Sequence, residues 1–334
     1  MAIFITSQDV SNLLEIEDYI FTMEKAYAQL GNGGSNMLPR IKVDSGQRPG
    51  FMKILPASLS ESGVAGIHVY TGGPGDFLKS IFLYDLQSGN LEAIIESDRI
   101  AWLVPGAVSA VATKYLATND ARIMAIYGSG RQAKAQLLAI SQVRNLELVK
   151  VYSPQQEHRE AFCKEMTEVL NLPVVSVASS EEALQGAQIV SAATSTRTSV
   201  FNGGAVNPGT HINAIGAHDP QRREVDGICV QRSKVIVDSL ERALLEEGAL
   251  ILAAGEGLIE LPHAYGELGE IVAGKKPGRV SSKDITLFMS GATAIEYVAI
   301  GAEILRRARE KGMGQQLSLV RDENVPKSLR SGSR

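Results

Sequence analysis

Thiols are scarce in this chain. Its 334 residues include 2 cysteines, Cys163 and Cys229, in no metal or redox spacing. A disulfide framework and a thiolate metal centre are therefore not expected, and free, reduced thiols fit a cytoplasmic protein. An excess of one charge is also missing. Lys and Arg total 33 and Asp and Glu 37, for a net charge of -4 with both signs scattered. No basic stripe points to nucleic acid. No uninterrupted apolar run approaches the ~18 residues of a membrane span. The start, Met1-Ala2-Ile3-Phe4-Ile5, has no basic n-region, so a signal peptide is not expected. No G-x-S-x-G, H-E-x-x-H or paired-cysteine motif occurs, which disfavours serine, metal or thiol hydrolysis. Residues 330–334 read as a disordered tail or an expression scar.

What is present is a globular composition, 44% hydrophobic and 21% charged, in a length that suggests about two domains. The most informative stretch is 123–133. Ile123-Met124-Ala125-Ile126-Tyr127 reads as a buried parallel strand. Gly128-Ser129-Gly130-Arg131-Gln132-Ala133 follows as a G-x-G-x-x-A turn into a helix. In such a turn, the first glycine permits a tight bend and the second lets backbone approach a pyrophosphate. The third small residue lets helix pack on strand, and free N–H groups at the helix start face the anion. Glycine is common here, 32 residues, so the motif alone is weak and its context carries it.

That context changes along the chain. A helix is expected over 11–30, ended by Gly31-Asn32-Gly33-Gly34. Strands are expected over 2–6, 38–43, 51–55, 64–70, 80–85 and 91–95, with a loop at 71–75 and a hairpin turn at Ser88-Gly89-Asn90. The first hundred residues thus behave as a separate α+β unit. A helix ending near 116 is expected to start at or near Pro105. Beyond it, strands at 123–127, 148–152, 174–178, 188–193, 210–215 and 234–238 alternate with helices, giving an α/β doubly wound Rossmann sheet. A strand at 285–288 and a long helix over 294–311 close the pattern.

These motifs fall in the order of one family. Pro39-Arg40, Leu55-Pro56-Ala57, the run 106–117 with Ser109-Ala110-Val111-Ala112-Thr113-Lys114-Tyr115-Leu116-Ala117, the glycine loop, Gly209-Thr210-His211-Ile212-Asn213-Ala214-Ile215-Gly216 and Gly266-Glu267-Leu268-Gly269-Glu270 are its signs. Over nearly its full length, the chain resembles the ornithine cyclodeaminase/mu-crystallin family. The resemblance implies a Rossmann dinucleotide-binding domain over 117–288. It also implies a discontinuous α+β substrate-binding and dimerisation domain, 1–116 plus 289–325, in a homodimer. The implied chemistry is hydride transfer between a nicotinamide and a carbon bearing an amine or imine, on a small-molecule imine, amino or imino acid. Reduction by NAD(P)H, or the reverse oxidation, is the favoured activity. A cyclodeaminase acting on ornithine or lysine, or an NADPH-dependent binding protein with little turnover, are the alternatives.

The resemblance also assigns residues. Arg40 is the expected carboxylate anchor, because a guanidinium binds a carboxylate bidentately. Members carry a lysine at the position of His68, an arginine at Val104 and often an aspartate at His218, and this sequence departs at all three. Val104 cannot bind a carboxylate, which leaves Lys53 or Arg99 as nearby substitutes. His68 is a candidate proton donor, and His218 with Asp219 a candidate base and its orienter. His211 and His263 read as structural and His158 as solvated. Expected cofactor contacts are Gly128, Ser129, Gly130, Arg131, Gln132, Ala133, Tyr152, Ser153, Thr194, Ser195, Ile215, Gly216 and Ser290. The second strand ends Val151-Tyr152-Ser153-Pro154 without the acid that reads a ribose 2′-hydroxyl. NADP(H) is therefore favoured over NAD(H), with Arg131 or Arg159 available to a 2′-phosphate.

Overall fold

The computed structural model describes residues 2–44, 46, 50–72 and 78–318. Of the expected loop at 71–75, Thr71 and Gly72 continue the strand Val64–Gly72 and 73–75 lie outside the described residues, as do the tail at 330–334 and the end of the 289–325 segment. Seven strands come first: β1 (Ala2–Ile5), β2 (Ser35–Met37), β3 (Ile41–Asp44), β4 (Phe51–Leu59), β5 (Val64–Gly72), β6 (Lys79–Asp85) and β7 (Leu91–Glu96). Eight more follow the helix Asp98–Leu116: β8 (Ile123–Tyr127), β9 (Leu148–Tyr152), β10 (Val174–Ser176), β11 (Ile189–Ala192), β12 (His211–Ala214), β13 (Lys234–Val237), β14 (Gly266–Glu267) and β15 (Thr286–Met289). A last strand, β16 (Gln315–Leu317), returns to pair antiparallel with β1.

Two sheets result. The first is mostly antiparallel in the order β16-β1-β7-β6-β5-β4-β2, with β3 also on β4. The helix Ala294–Lys311 packs across β4, β5 and β6. The second sheet is parallel in the order β10-β9-β8-β11-β12-β15-β13-β14. The chain runs outward from β8 through β9 to β10, then returns to β11 on the other side of β8. This is the doubly wound α/β fold expected, with its switch point between β8 and β11. Strands covered on both faces favour apolar residues, and β11, β12 and β15 are buried throughout, their polar residues Ser191, His211, Asn213 and Thr286 being hydrogen-bonded. Along β8, Met124 and Ile126 join one core, which extends through the Asp98–Leu116 helix into the first sheet, while Ala125 and Tyr127 join the other.

Local chemistry explains where the elements depart from expectation. The single helix expected over 11–30 is two, Ser7–Leu13 and Ile16–Gly31, because Thr6 with Asp9 and Glu15 with Asp18 each form a capping box. The strand expected over 38–43 is broken at Pro39 and Arg40, so Arg40 sits between β2 and β3 and on neither. The helix expected to begin at Pro105 runs through it. A proline deprives the residue four positions earlier of its backbone donor. Here that residue is Ala101, and its carbonyl is taken instead by Gln132 Nε2 at 3.3 Å. One residue on, Gly106 meets the helix Arg131–Ile140 so closely that a Cβ there would lie 2.4 Å from the Ala135 oxygen. Gly106→Ala must push the two helices apart, and it is expected to cost about 1–3 kcal/mol, read as a lower denaturant midpoint at unchanged slope.

Candidate active site

All strands of the second sheet point the same way, so their carboxyl ends share one edge. The residues that follow five of the eight strands open onto a cleft of about 650 Å³: Gly128 after β8, Ser153 after β9, Ala193 after β11, Ile215 after β12 and Ser290 after β15. The glycine loop forms its floor. Gly128 has φ +108°, a conformation closed to side chains, and a Cβ there would sit 2.5 Å from the Ala193 carbonyl oxygen. Its N–H donates to the Tyr152 carbonyl at 2.9 Å, tying the β8 turn to the β9 turn. Gly130 differs: nothing lies within 4 Å of a Cβ built on it, so its surface is open to a ligand. It heads the helix Arg131–Ile140, whose first turn has no side-chain cap. Uncapped N–H groups over an open glycine fit a dinucleotide pyrophosphate.

Two hydroxyls join the neighbouring strand ends, Ser129 Oγ and Ser153 Oγ, 3.0 Å apart. Across the cleft, Glu224 holds two loops together. This buried carboxylate accepts the Thr194 N–H at 2.5 Å, the Thr194 hydroxyl at 2.7 Å and the Gly216 N–H at 2.5 Å. Burial pushes its carboxyl above the ordinary range, and these three donors pull it back. Glu224 was not singled out from the sequence, since nothing local marks it. Of the expected cofactor contacts, Gly128, Ser129, Gly130, Arg131, Gln132, Ser153, Thr194, Ser195, Ile215, Gly216 and Ser290 line the cleft. Ala133 is buried in the core beneath, and Tyr152 packs edge-on to Tyr127 at 6.4 Å, so neither forms its wall. The Arg131 side chain is exposed and 3.6 Å from Asp98, which also pairs with Lys79 at 3.0 Å. Arg159 is buried and committed, donating to the Ser153 carbonyl at 2.9 Å and to Ser176 at 3.0 Å, which removes it as a reader of a 2′-phosphate. His158, read as merely solvated, is exposed and forms part of the outer wall with Pro154 and Gln155.

The other half of the expected site is arranged differently. His218 lines the cleft beside Ser290 and Ala292. Its side chain is exposed to solvent; crowding by the cleft walls and then the cations Arg40, Arg242, Lys53 and Arg222 lower its imidazole. Asp219 does not orient it: its carboxylate accepts the Gln221 N–H at 2.8 Å in a turn, outside the cleft. His68 is turned away. Alternation along β5 puts Gly66 and His68 on the face under the Ala294–Lys311 helix, and the ring stacks on Tyr297 at 3.8 Å. Its Nε2 lies 3.1 Å from Ser97 Oγ. Burial, with Lys79 and Arg40 nearby, pushes the imidazole down to about 3, so the ring is neutral. Val104 is fully buried in the core. Lys53 Nζ lies over the Phe51 and Tyr70 rings, at 5.3 and 5.7 Å. Buried His211 is held by Thr286 at 3.0 Å and Asn213 at 3.2 Å.

Arg40 lines a second cavity of about 200 Å³ that meets the first at Ala292. Its Nη2 donates to the Gly291 carbonyl and, at 3.4 Å, to the Ala292 carbonyl, and Nη1 is 3.6 Å from Glu246. Ala292 itself has φ +66°, a left-handed conformation that favours glycine.

The buried, neutral His68 carries a linkage prediction. A folded pKa of about 3 against 6.5 unfolded means that the unfolded chain binds more protons between those values. Stability is then complete above pH 6.5 and falls toward pH 3, with a one-proton slope of about 1.4 kcal/mol per pH unit. His68→Phe is expected to flatten the acid limb of a stability-versus-pH curve relative to the parent. Parallel curves would show that His68 does not titrate in this window.

The sheet order, the glycine turn and the strand-end cleft define a dinucleotide-binding protein of the Rossmann class. The chain belongs to the ornithine cyclodeaminase/mu-crystallin family, whose profile matches residues 2–312. It is 34% identical over 238 residues to a Delta(1)-pyrroline-2-carboxylate reductase of Bacillus cereus, covering 71% of this chain and 73% of that protein. Among solved structures, it is similar to the Thermococcus litoralis Delta(1)-pyrroline-2-carboxylate reductase in complex with NADH and L-proline. The TM-score is 0.89 at 35% identity, over 94% of this chain and 100% of that one. An archaeal alanine dehydrogenase dimer with bound NAD aligns with a TM-score of 0.89 at 27% identity, over 96% and 99% of the two chains. Among the described residues, no helix is long and apolar enough to cross a membrane, and no cluster of His, Cys, Asp and Glu could hold a metal ion.

Proposed function

We propose that this protein is an NAD(P)H-dependent reductase of a small imino acid, of the cyclic Delta(1)-pyrroline-2-carboxylate type, and that it catalyses the reverse oxidation of the amino acid. The observation that carries this reading is the strand-end cleft, with its open Gly130 and uncapped helix start, in a chain 35% identical to a reductase solved with NADH and L-proline. The bound nicotinamide supplies the hydride. The chain's own residues hold and orient: Ser290, Ile215 and Gly216 wall the inner cleft, and Glu224 fixes the two loops around it. Reduction of a C=N bond adds a hydride to carbon and a proton to nitrogen. His218, a neutral imidazole on the cleft wall in reach of solvent, is the group placed to relay that proton from water to the nitrogen; His68 is not. His218→Gln is expected to lower kcat by about 10²-fold or more with the nucleotide Kd unchanged. An unchanged kcat would assign the proton to water.

NADP(H) is the preferred nucleotide in this reading. Ser153 replaces the usual acid at the end of β9, and Arg131 is an exposed cation on the same rim. The pairing of two protomers goes with it, through the outer face of the first sheet, where Leu38, Ile41, Val43 and Tyr84 are exposed. The division into a nucleotide half, 117–288, and a substrate half, 1–116 plus 289–325, is part of the same proposal. The test is consumption of NADPH with Delta(1)-pyrroline-2-carboxylate and formation of proline. Ammonia release from ornithine without net nucleotide turnover would favour cyclodeamination instead. Tight NADPH binding without turnover on any imine would leave a binding protein.

A further inference from the structure

Arg242 is a buried cation that the proposed reaction has not yet used. It lies in the helix Leu240–Glu246 with its side chain 4% exposed. Its guanidinium passes beneath Gly291, so closely that a Cβ on that glycine would lie 2.4 Å from Nη1. Nε donates to Asp238 at 2.7 Å and Nη2 to Glu247 at 3.3 Å, but Nη1 has no partner. Arg40, 5% exposed, reaches the same glycine from the other side by donating to its carbonyl, and its Nε also has no partner. Both arginines line the cavity of about 200 Å³ that opens to the dinucleotide cleft at Ala292.

Two guanidiniums, each with an unused N–H, thus flank Gly291, Arg242 filling the space that a side chain there would take and Arg40 on its carbonyl. Leaving such a buried donor unsatisfied costs roughly 1–3 kcal/mol, and an oxyanion relieves it with charge-assisted bonds. The local acids do not fill that role. Asp238 is spent on Arg242 Nε, the Ser290 hydroxyl at 3.1 Å and the Gly291 N–H at 2.7 Å. Glu246 stands 3.6 Å from Arg40 Nη1 without a hydrogen bond to Oε2. Glu267 accepts the Leu240 N–H at 2.7 Å, and Glu241 faces solvent. Burial pushes Glu247 up to about 8, which weakens it as a counter-charge at neutral pH.

We propose that Arg242 and Arg40 together bind the substrate carboxylate over Gly291, with Arg242 providing the second cation that Val104 cannot. This rests on the imino-acid reading above and adds Arg242 to its carboxylate subsite as a second cation. Ser290 and Ala292, on either side of Gly291, face the dinucleotide cleft, so an anion held there keeps its adjoining carbon at the junction of the two cavities.

The NADPH-loaded protein is titrated calorimetrically with pyrrole-2-carboxylate, and assayed on Delta(1)-pyrroline-2-carboxylate and on 2-methyl-1-pyrroline, which lacks the carboxylate. Arg242→Gln removes the cation, and Gly291→Ala displaces it without removing it. In both, pyrrole-2-carboxylate affinity is expected to fall, and KM for the carboxylate imine to rise, about tenfold or more. Activity on 2-methyl-1-pyrroline and NADPH affinity should stay within about twofold of the parent, and Arg242→Lys should recover part of the loss. Equal losses on both imines mean a structural arginine and overturn the proposal, as does an unchanged carboxylate affinity. If the parent reduces neither imine, the reductase reading falls while the titration still decides. Pyrrole-2-carboxylate binding lost in Arg242→Gln supports the pair; binding retained there, or absent in the parent, overturns it.

Discussion

Gly128→Ala is expected to weaken nucleotide binding by at least about 100-fold and to cost about 3 kcal/mol of stability. Two independent constraints meet at this residue. Its φ of +108° is strained for any side chain, and the atom that a Cβ would strike is backbone: the Ala193 oxygen at 2.5 Å. Flexible side chains can give way, but a carbonyl fixed at the end of β11 cannot do so without parting β8 from β11. That seam is the switch point of the sheet, and Gly128 and Ala193 on its two sides both line the cleft. Gly130→Ala separates the two effects. With nothing within 4 Å of its Cβ, the fold should be untouched, while the methyl intrudes on the open cradle. Thermal melts and nucleotide titrations on both variants check this. Wild-type affinity in Gly128→Ala would mean that the cleft is not built on this turn.

The second large effect is expected at Glu224. Three donors converge on its two oxygens, two of them backbone N–H groups at 2.5 Å. Glu224→Gln is nearly isosteric, but one oxygen becomes an NH₂ that points at an N–H. At least one buried donor then faces another donor. A stability loss of about 2–4 kcal/mol follows, together with roughly tenfold weaker nucleotide binding, because the Thr194 and Gly216 loops are no longer tied. Gly216 allows no other arrangement, since a Cβ there would lie 2.2 Å from the Thr194 oxygen. Denaturant unfolding with parallel NADPH titration measures both losses. If Glu224→Gln matched the parent in both, the clamp would carry no load.

The nucleotide half was legible because its signals are local. An apolar run, a glycine turn and a helix start lie within the stretch 123–133, and the α/β alternation repeats them. Capping boxes at Thr6 and Glu15 were equally local, yet the apolar stripe over 11–30 masked the break between the two helices. Pro105 misled because the missing bond at Ala101 is repaired by Gln132, 31 residues away. The rest of the site was not legible because its partners are distant. Arg40 meets a carbonyl 251 residues on, and Glu224 clamps Thr194 from 30 residues away. His68 lies in a strand that is apolar on both faces, so alternation could not reveal which face it takes. The core face takes it away from the cleft and leaves His218 and the arginines as the proposed substrate end.

The reaction proposed for this cleft passes a hydride to the carbon of an imine. Its most direct test is a reaction with NADPH deuterated at the transferable C4 position and Delta(1)-pyrroline-2-carboxylate, with the product read by mass spectrometry and proton NMR. The expected product is proline carrying one deuterium at its α-carbon, with one nucleotide oxidised for each proline formed. Proline without the label, or NADPH held tightly and never oxidised, would contradict it.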